Sequence, residues 1–176
     1  ASDQVLFAYM DAGVAGATLA VIRPVENRIY VFAGGVLAVN VNGLTYADGN
    51  WHHLALTFNT GPSQVFLDGV SLGTNVGSVM GGTSIFRLGH ADGFIQKFVG
   101  DLTDVRISNV RRYTGAFTPV MGYIPDANTV SLWSDETRSP VMWFDQMRLH
   151  DANFLFPTSI PGLPFWVLKD RAFVAP

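Results

Sequence analysis

The sequence lacks cysteine and is poor in charged residues and in glutamate. None of its 176 residues is cysteine, 14% are charged, and the two glutamates are Glu26 and Glu136. Without cysteine there are no disulfides, thiolate metal ligands or thiol nucleophiles. The net charge of −3 also excludes the basic surface on which nucleic-acid binding depends, so we expect no nucleic-acid partner.

A membrane helix is also missing from the pattern. The uncharged stretch 29–47 approaches membrane-spanning length, but it alternates as a strand does and contains Gly34 and Asn40. Residues 1–22 lack the basic start of a signal peptide. We therefore expect a soluble chain that does not insert into a membrane.

Hydrophobic residues make up 48% of the sequence, and they recur with a period of two. Residues 36–41 and 51–58 alternate in this way, and the tight-turn pairs Asn42-Gly43 and Asp68-Gly69 interrupt such runs. No stretch of about twelve residues keeps a helical period. The pattern predicts one all-β domain, an antiparallel sandwich of two sheets. Further strands are expected at 4–9, 18–23, 28–33, 64–67, 70–72, 85–88, 98–108 and 130–133.

The C-terminal part of the chain differs in composition. Residues 141–149 are a candidate strand, but the Pro-rich remainder is not expected to supply a central strand, since each proline removes a ladder donor. We divide the chain into a sandwich over 1–133 and an irregular arm over 134–176, which packs on the sandwich or on a neighbouring subunit. A chain without the arm is expected to fold and to assemble poorly. The arm's aromatic residues are the predicted interaction surface: Trp143, Phe144, Phe154, Phe156, Phe165, Trp166 and Phe173.

Several motifs occur in a definite order along the chain. They are a turn and a Trp-His-His strand at 48–58, a Leu-Asp-Gly hairpin at 65–69, a Leu-Gly strand end at 86–89 and a closing strand at 98–108. This order resembles the laminin-G-like (concanavalin A-like) jelly-roll family and implies that fold. Residues 111–119 and 126–132 are similar to the ending of such domains in structural proteins of tailed bacteriophages. The resemblance covers about residues 28–133.

The carboxylates that polysaccharide cleavage needs are not evident in the sequence. Glycosidases place two carboxylates across a cleft, and jelly-roll members that cut polysaccharides carry them on one strand face. Glu26 and Glu136 are more than a hundred residues apart, and Asp101 and Asp104, three apart in a strand, face opposite sides. A pair of distant aspartates stays open as an alternative. We predict that the protein is not an enzyme.

No cofactor is expected, and calcium is the one metal left open. His52 and His53 are adjacent in a strand and point to opposite faces, so they cannot share a metal. The resemblance to laminin-G domains suggests calcium on loop aspartates. Calcium takes about six to eight oxygens, and loop carboxylates are sparse in this chain. Asp92, in the loop 89–93, is the candidate ligand.

The composition and the resemblance together favour a non-enzymatic role in a bacteriophage virion. We expect a capsid decoration or tail-associated protein that acts by surface contact with other virion proteins or with itself, as a homo-oligomer. The alternative is a carbohydrate-binding module or adhesin for host attachment, because the same fold carries lectin activity. Tyr46 and Tyr113 are the candidate glycan contacts, since strand alternation is expected to bury Trp51 and Trp133.

Overall fold

Two antiparallel β-sheets make up the part of the chain that the structure describes. The computed structural model describes residues 3–10, 17–57, 63–75, 85–91, 97–134, 144–145 and 162–168. The prediction of an all-β jelly-roll sandwich is confirmed. No helix within these residues is long and apolar enough to cross a membrane.

The first sheet has five strands in the order β4-β3-β2-β1-β8. Each neighbour pairs antiparallel, and short turns join β2 to β3 and β3 to β4. Its strands are β1 (Gln4–Met10), β2 (Thr18–Arg23), β3 (Arg28–Ala33), β4 (Val36–Val41) and β8 (Ile85–Leu88).

The second sheet has eight strands in the order β12-β11-β10-β13-β5-β6-β7, with β9 paired to β13. Asp68 and Gly69 join β6 to β7, and both have the positive φ angles (51° and 79°) that a type I′ hairpin turn requires. The strands are β5 (Trp51–Thr57), β6 (Ser63–Leu67), β7 (Val70–Asn75), β9 (Asp101–Thr103), β10 (Val105–Ser108), β11 (Thr129–Ser134), β12 (Phe144–Asp145) and β13 (Gly162–Leu168).

Alternate residues of the two sheets meet in the larger of two hydrophobic clusters, and the smaller one includes Val5, Leu19 and Val21 of the first sheet. Leu54 and Leu56 of β5 belong to the larger cluster, and the opposite face of β5 carries His53. Trp133 is buried there and stacks on Phe86 with ring centroids 5.9 Å apart, which confirms its predicted burial. Full burial of each large apolar side chain contributes about 1.5–3 kcal/mol to stability.

The predicted burial of Trp51 is wrong. Trp51 is the first residue of β5, and its side chain is 37% exposed. The predicted alternation of β5 is correct, because Trp51 and His53 lie on one face of the strand and Leu54 lies on the other. The core lies on the face of Leu54, so Trp51 projects from the outer face of the second sheet.

The expectation that the Pro-rich C-terminal residues supply no central strand is also wrong. Strand β13 lies between β5 and β10, and its residue Pro164 pairs with Ala55. On the other side β13 pairs at Gly162 with β10 and from Trp166 onward with β9. Pro164 thus lies in the part of β13, between Gly162 and Trp166, that pairs with neither β9 nor β10.

Candidate functional site

A connecting segment crosses the outer face of the second sheet. Residues 109–128, which we call the strap, follow β10, reach the β6–β7 turn and return to β11. The Arg111 guanidinium donates to the side-chain oxygen of Gln64 on β6. At the turn, the Phe117 N–H donates to the Gly69 carbonyl over 3.1 Å. The strap is therefore attached at the far side of the sheet.

The return of the strap is held by Arg112. Its guanidinium forms two charge-assisted hydrogen bonds to the Asp126 carboxylate, at 2.7 and 2.6 Å, and a third to the Ser108 hydroxyl at 2.7 Å. The hydrogen bonds from Arg112 hold the pKa of Asp126 well below its ordinary value. A bidentate pair between arginine and a carboxylate is stronger and more specific in geometry than a single hydrogen bond. This pair therefore holds the beginning and the end of the strap together.

Aromatic side chains of the strap cover His53. The His53 ring is fully buried and meets the rings of Tyr113, Phe117 and Tyr123 edge-on. Burial lowers the pKa of His53 to about 4, so the ring is neutral at neutral pH. The His53 Nε2 and the Tyr123 hydroxyl share a hydrogen bond of 2.5 Å. His53 therefore fastens the strap to the sheet.

Two charged residues lie beneath the same part of the strap. The Arg106 guanidinium stands 3.9 Å from the centre of the Tyr123 ring, a cation–π contact. The buried Asp104 carboxylate accepts the Gly122 N–H over 2.6 Å. Burial raises the pKa of Asp104 and lowers that of Arg106. Both charges are enclosed, which gives them a structural role.

A second cluster, the rim cluster, consists of Asp48, His52 and Asp68. His52 Nδ1 lies 2.7 Å from Asp68 Oδ2, and His52 Nε2 lies 2.9 Å from Asp48 Oδ1. The other Asp68 oxygen accepts the His53 N–H over 2.8 Å. A ring with a carboxylate at each nitrogen is satisfied best as the imidazolium, which donates twice. The cluster thus ties the turn before β5 to the β6–β7 turn.

The rim cluster predicts a loss of stability at alkaline pH. Burial disfavours the charge on His52, but hydrogen bonds and charges of the two aspartates outweigh it and raise the pKa of His52 above 6.5. The stabilisation is then fully present below that value and is lost as the pH rises through the folded-state pKa. We expect the free energy of unfolding in urea to fall as the pH rises above about 6.5, and to fall far less in His52→Gln.

His53 supplies an internal control for this prediction. Its lowered pKa of about 4 has the opposite sign, so stability is lost as the pH falls from 6.5 towards that value. The His52→Gln variant should keep this acid limb. An alkaline limb that persisted unchanged in the variant would assign the effect to another group.

The strap exposes several large apolar side chains, three of them between Val120 and Ile124. Val120 is 67%, Met121 48% and Ile124 82% exposed, and Val110 lies at 36%. Val120, Met121 and Ile124 lie next to Gly122 and Tyr123, whose hydrogen bonds hold this part of the strap to the sheet. The structure therefore offers an apolar contact surface on a well-anchored backbone.

The two tyrosines predicted to contact glycan differ in their exposure. Tyr46 is 3% exposed, its hydroxyl donates to the Arg28 carbonyl over 2.8 Å, and burial raises its pKa to about 12. A buried ring offers no face to a sugar, so the prediction for Tyr46 is corrected. Tyr113 is half-buried and stacks on Phe117 with centroids 3.6 Å apart, and its role in glycan contact stays a prediction.

Other predicted site residues fall partly outside the described residues. Asp92 is outside them, so the calcium prediction is not tested. Among the described residues, no group of three or more His, Cys, Asp or Glu side chains could hold a metal ion. Of the predicted interaction residues, the structure describes only the backbone of Phe144, Phe165 and Trp166, and these others are outside it: Trp143, Phe154, Phe156 and Phe173.

Sequence reasoning missed the strap and the rim cluster. The strap has no repeating pattern, and its only distinctive stretches in the sequence are 111–119 and 126–128. For the rim cluster a signal was present, because Asp48 precedes His52 by four residues and Asp68 occupies a turn. Spacing alone does not show that the two turns meet at one edge of the sandwich.

Comparison with known proteins agrees with this geometry. A family model described as the concanavalin A-like lectin/glucanases superfamily (Laminin_G_3) matches residues 2–114. The chain belongs to this family, and the match includes the rim cluster and the start of the strap. Searches of curated proteins and of solved structures gave no match.

Proposed function

We propose that this protein is a non-enzymatic structural protein of a bacteriophage virion, a capsid decoration or tail-associated protein that works by surface contact. The observation that carries the proposal is the apolar outer side of the strap, with Ile124 at 82% exposure. An exposed apolar surface on a well-anchored segment is typical of an interaction site. The resemblance of 111–119 and 126–132 to phage structural proteins supports the virion setting.

The burial and hydrogen bonding of the described carboxylates support a role without catalysis. A glycosidase needs one carboxyl group with a raised pKa in an open cleft. Hydrogen bonds from Arg23 and Arg28 lower the pKa of Glu26, and Asp104, whose pKa is raised, is 4% exposed. Except for Asp101, which is exposed, the other carboxylates whose side chains the structure describes are held in structural pairs: Asp3 with Arg23 and Tyr30, Asp48 and Asp68 with His52, and Asp126 with Arg112.

The partners under this proposal are other virion proteins or further copies of the chain. A homo-oligomer with closed symmetry would repeat the strap surface around an axis and so multiply weak contacts. The exposed part of the strap carries no charged residue between Phe117 and Ile124. Such a surface suits an apolar partner patch and makes attachment insensitive to salt.

Labelling of particles tests the proposal directly. Gradient-purified virions are probed with antibodies against this chain, and the label is expected at one defined part of the particle. Virions assembled with Ile124→Asp are expected to lose it, because a charge would be buried at the contact. Val25→Asp is the matched control, since Val25 is 75% exposed on the turn between β2 and β3. If antibodies against the wild-type chain label no part of the purified virions, the proposal is contradicted.

A second candidate function is carbohydrate binding for host attachment. The specific observation in its favour is the exposure of Trp51, which alternation had assigned to the core. An aromatic ring at a sandwich rim is a natural stacking platform for a sugar. This candidate differs from the first in its ligand, so a glycan-binding assay separates the two.

A further inference from the structure

Two side chains at one end of the second sheet differ from all comparable ones. Among the aromatic residues whose side chains the structure describes, Trp51 is the most exposed, at 37%. Among carboxylates described in the same way, only Asp101 has neither an ion pair nor a hydrogen bond, and it too is exposed. An aromatic ring can stack on the C–H face of a sugar, and a free carboxylate can accept hydrogen bonds from its hydroxyl groups.

The strand register brings these two residues to the same face. Leu168 of β13 pairs with Trp51 of β5 on one side and with Asp101 of β9 on the other. Residues that pair across a ladder point to the same face, and neighbouring strands are about 4.8 Å apart. The backbones of Trp51 and Asp101 are therefore about 10 Å apart on the outer face of the sheet.

The backbone on which Trp51 stands is held in place. In the preceding turn, the Asn50 N–H and side-chain amide donate to the two oxygens of Asp48, at 2.9 and 3.0 Å. Asp48 is in turn bonded to His52, the residue after Trp51. Trp51 is thus a surface ring on an ordered strand end, and a ligand that binds it loses little entropy in ordering the protein.

We propose that Trp51 and Asp101 form a saccharide-binding site on the outer face of the second sheet. The indole stacks on the C–H face of a pyranose, and the Asp101 carboxylate accepts hydrogen bonds from hydroxyl groups. The inference rests on the carbohydrate-binding candidate above and names its site. The separation of the two groups suits a short oligosaccharide better than a single sugar ring.

The charge of the site selects the class of saccharide. An exposed carboxylate without a basic partner repels uronic and sialic acids, so the ligand is a neutral oligosaccharide. One carboxylate cannot supply the six to eight oxygens that calcium takes, so binding needs no calcium at this site. The preference for neutral saccharides and the independence of calcium distinguish this site from a calcium-dependent lectin site.

The test uses the full chain on an array of neutral and sialylated oligosaccharides, with EDTA present. Binding to neutral members is expected, and Trp51→Ala and Asp101→Asn should each weaken it by about tenfold or more. Trp51→Phe keeps a smaller ring and should retain part of the binding. Val25→Ala and Ile124→Ala, which truncate exposed apolar side chains elsewhere, should bind as the wild type does.

The outcomes separate failure of the site from failure of the proposed function. Binding that survives both Trp51→Ala and Asp101→Asn would keep the carbohydrate role and overturn this site. No binding to any neutral member would overturn the site and the carbohydrate candidate, while particle labelling decides the virion role independently. Both residues are exposed, so the variants should fold, and urea unfolding verifies this. A saccharide-induced shift of the Trp51 indole N–H resonance, assigned from Trp51→Phe, gives a second readout.

Discussion

Replacing Gly69 by alanine is expected to destabilise the protein by about 3 to 5 kcal/mol. Gly69 has φ of 79°, and a Cβ there would overlap the Phe117 carbonyl oxygen and lie 2.8 Å from its carbon. The strap cannot yield without losing the hydrogen bond from the Phe117 N–H. Backbone strain from the positive φ and steric overlap with Phe117 therefore both lower the free energy of unfolding of Gly69→Ala. Urea unfolding measures their sum.

Two other glycines separate these contributions. Gly43 also has a positive φ of 70°, but a Cβ there meets nothing within 4 Å, so Gly43→Ala should cost only about 1 to 2 kcal/mol. A Cβ on Gly115, in the strap, meets nothing within 4 Å either, and Gly115→Ala should change stability by less than about 0.5 kcal/mol. Equal losses at Gly69 and Gly43 would show that the strap does not press on the β6–β7 turn.

Removal of residues 135–176 is expected to abolish the fold. The deletion takes away β13, which pairs through seven residues with β5 and also with β9 and β10. It leaves a gap in the middle of the second sheet with unpaired backbone groups on both sides, and each buried group of this kind costs about 1–3 kcal/mol. Circular dichroism and urea unfolding of the truncated chain should show no cooperative transition.

A shorter deletion and a peptide make this prediction specific. Removal of 171–176 keeps β13 and should leave a folded chain. A synthetic peptide that covers 160–170 should restore cooperative unfolding when it is added to the truncated chain, because it can refill the gap. A truncated chain that unfolded cooperatively on its own would instead support the expectation of a dispensable arm.

The strands were predictable because the alternation of apolar residues is a local property. Residues 36–41 and 51–57 are strands as expected, and the Asp68–Gly69 turn has the geometry that its residues favour. Strand β13 was not predictable in the same way. Pro164 argues against a central strand by local rules, and the gap in pairing beside it depends on β9 and β10, which belong to another part of the chain.

The candidate sites show the same division. His52 and Asp48 are close in sequence, but Asp68 joins them only because β5 and β6 pair with the turn at that end. Trp51 and Asp101 are fifty residues apart, and β13 alone sets their separation. No spacing within the sequence relates them.

The sequence by itself determined the all-β class, the position of most strands and the tight turns, since composition and period are read along one chain. The tertiary structure alone decided which face of β5 is buried, where β13 inserts and which exposed groups become neighbours. The physical reason is that every strand has two faces and two edges. The local sequence does not show which face is buried or which strand pairs with each edge, and only packing against the rest of the molecule decides this.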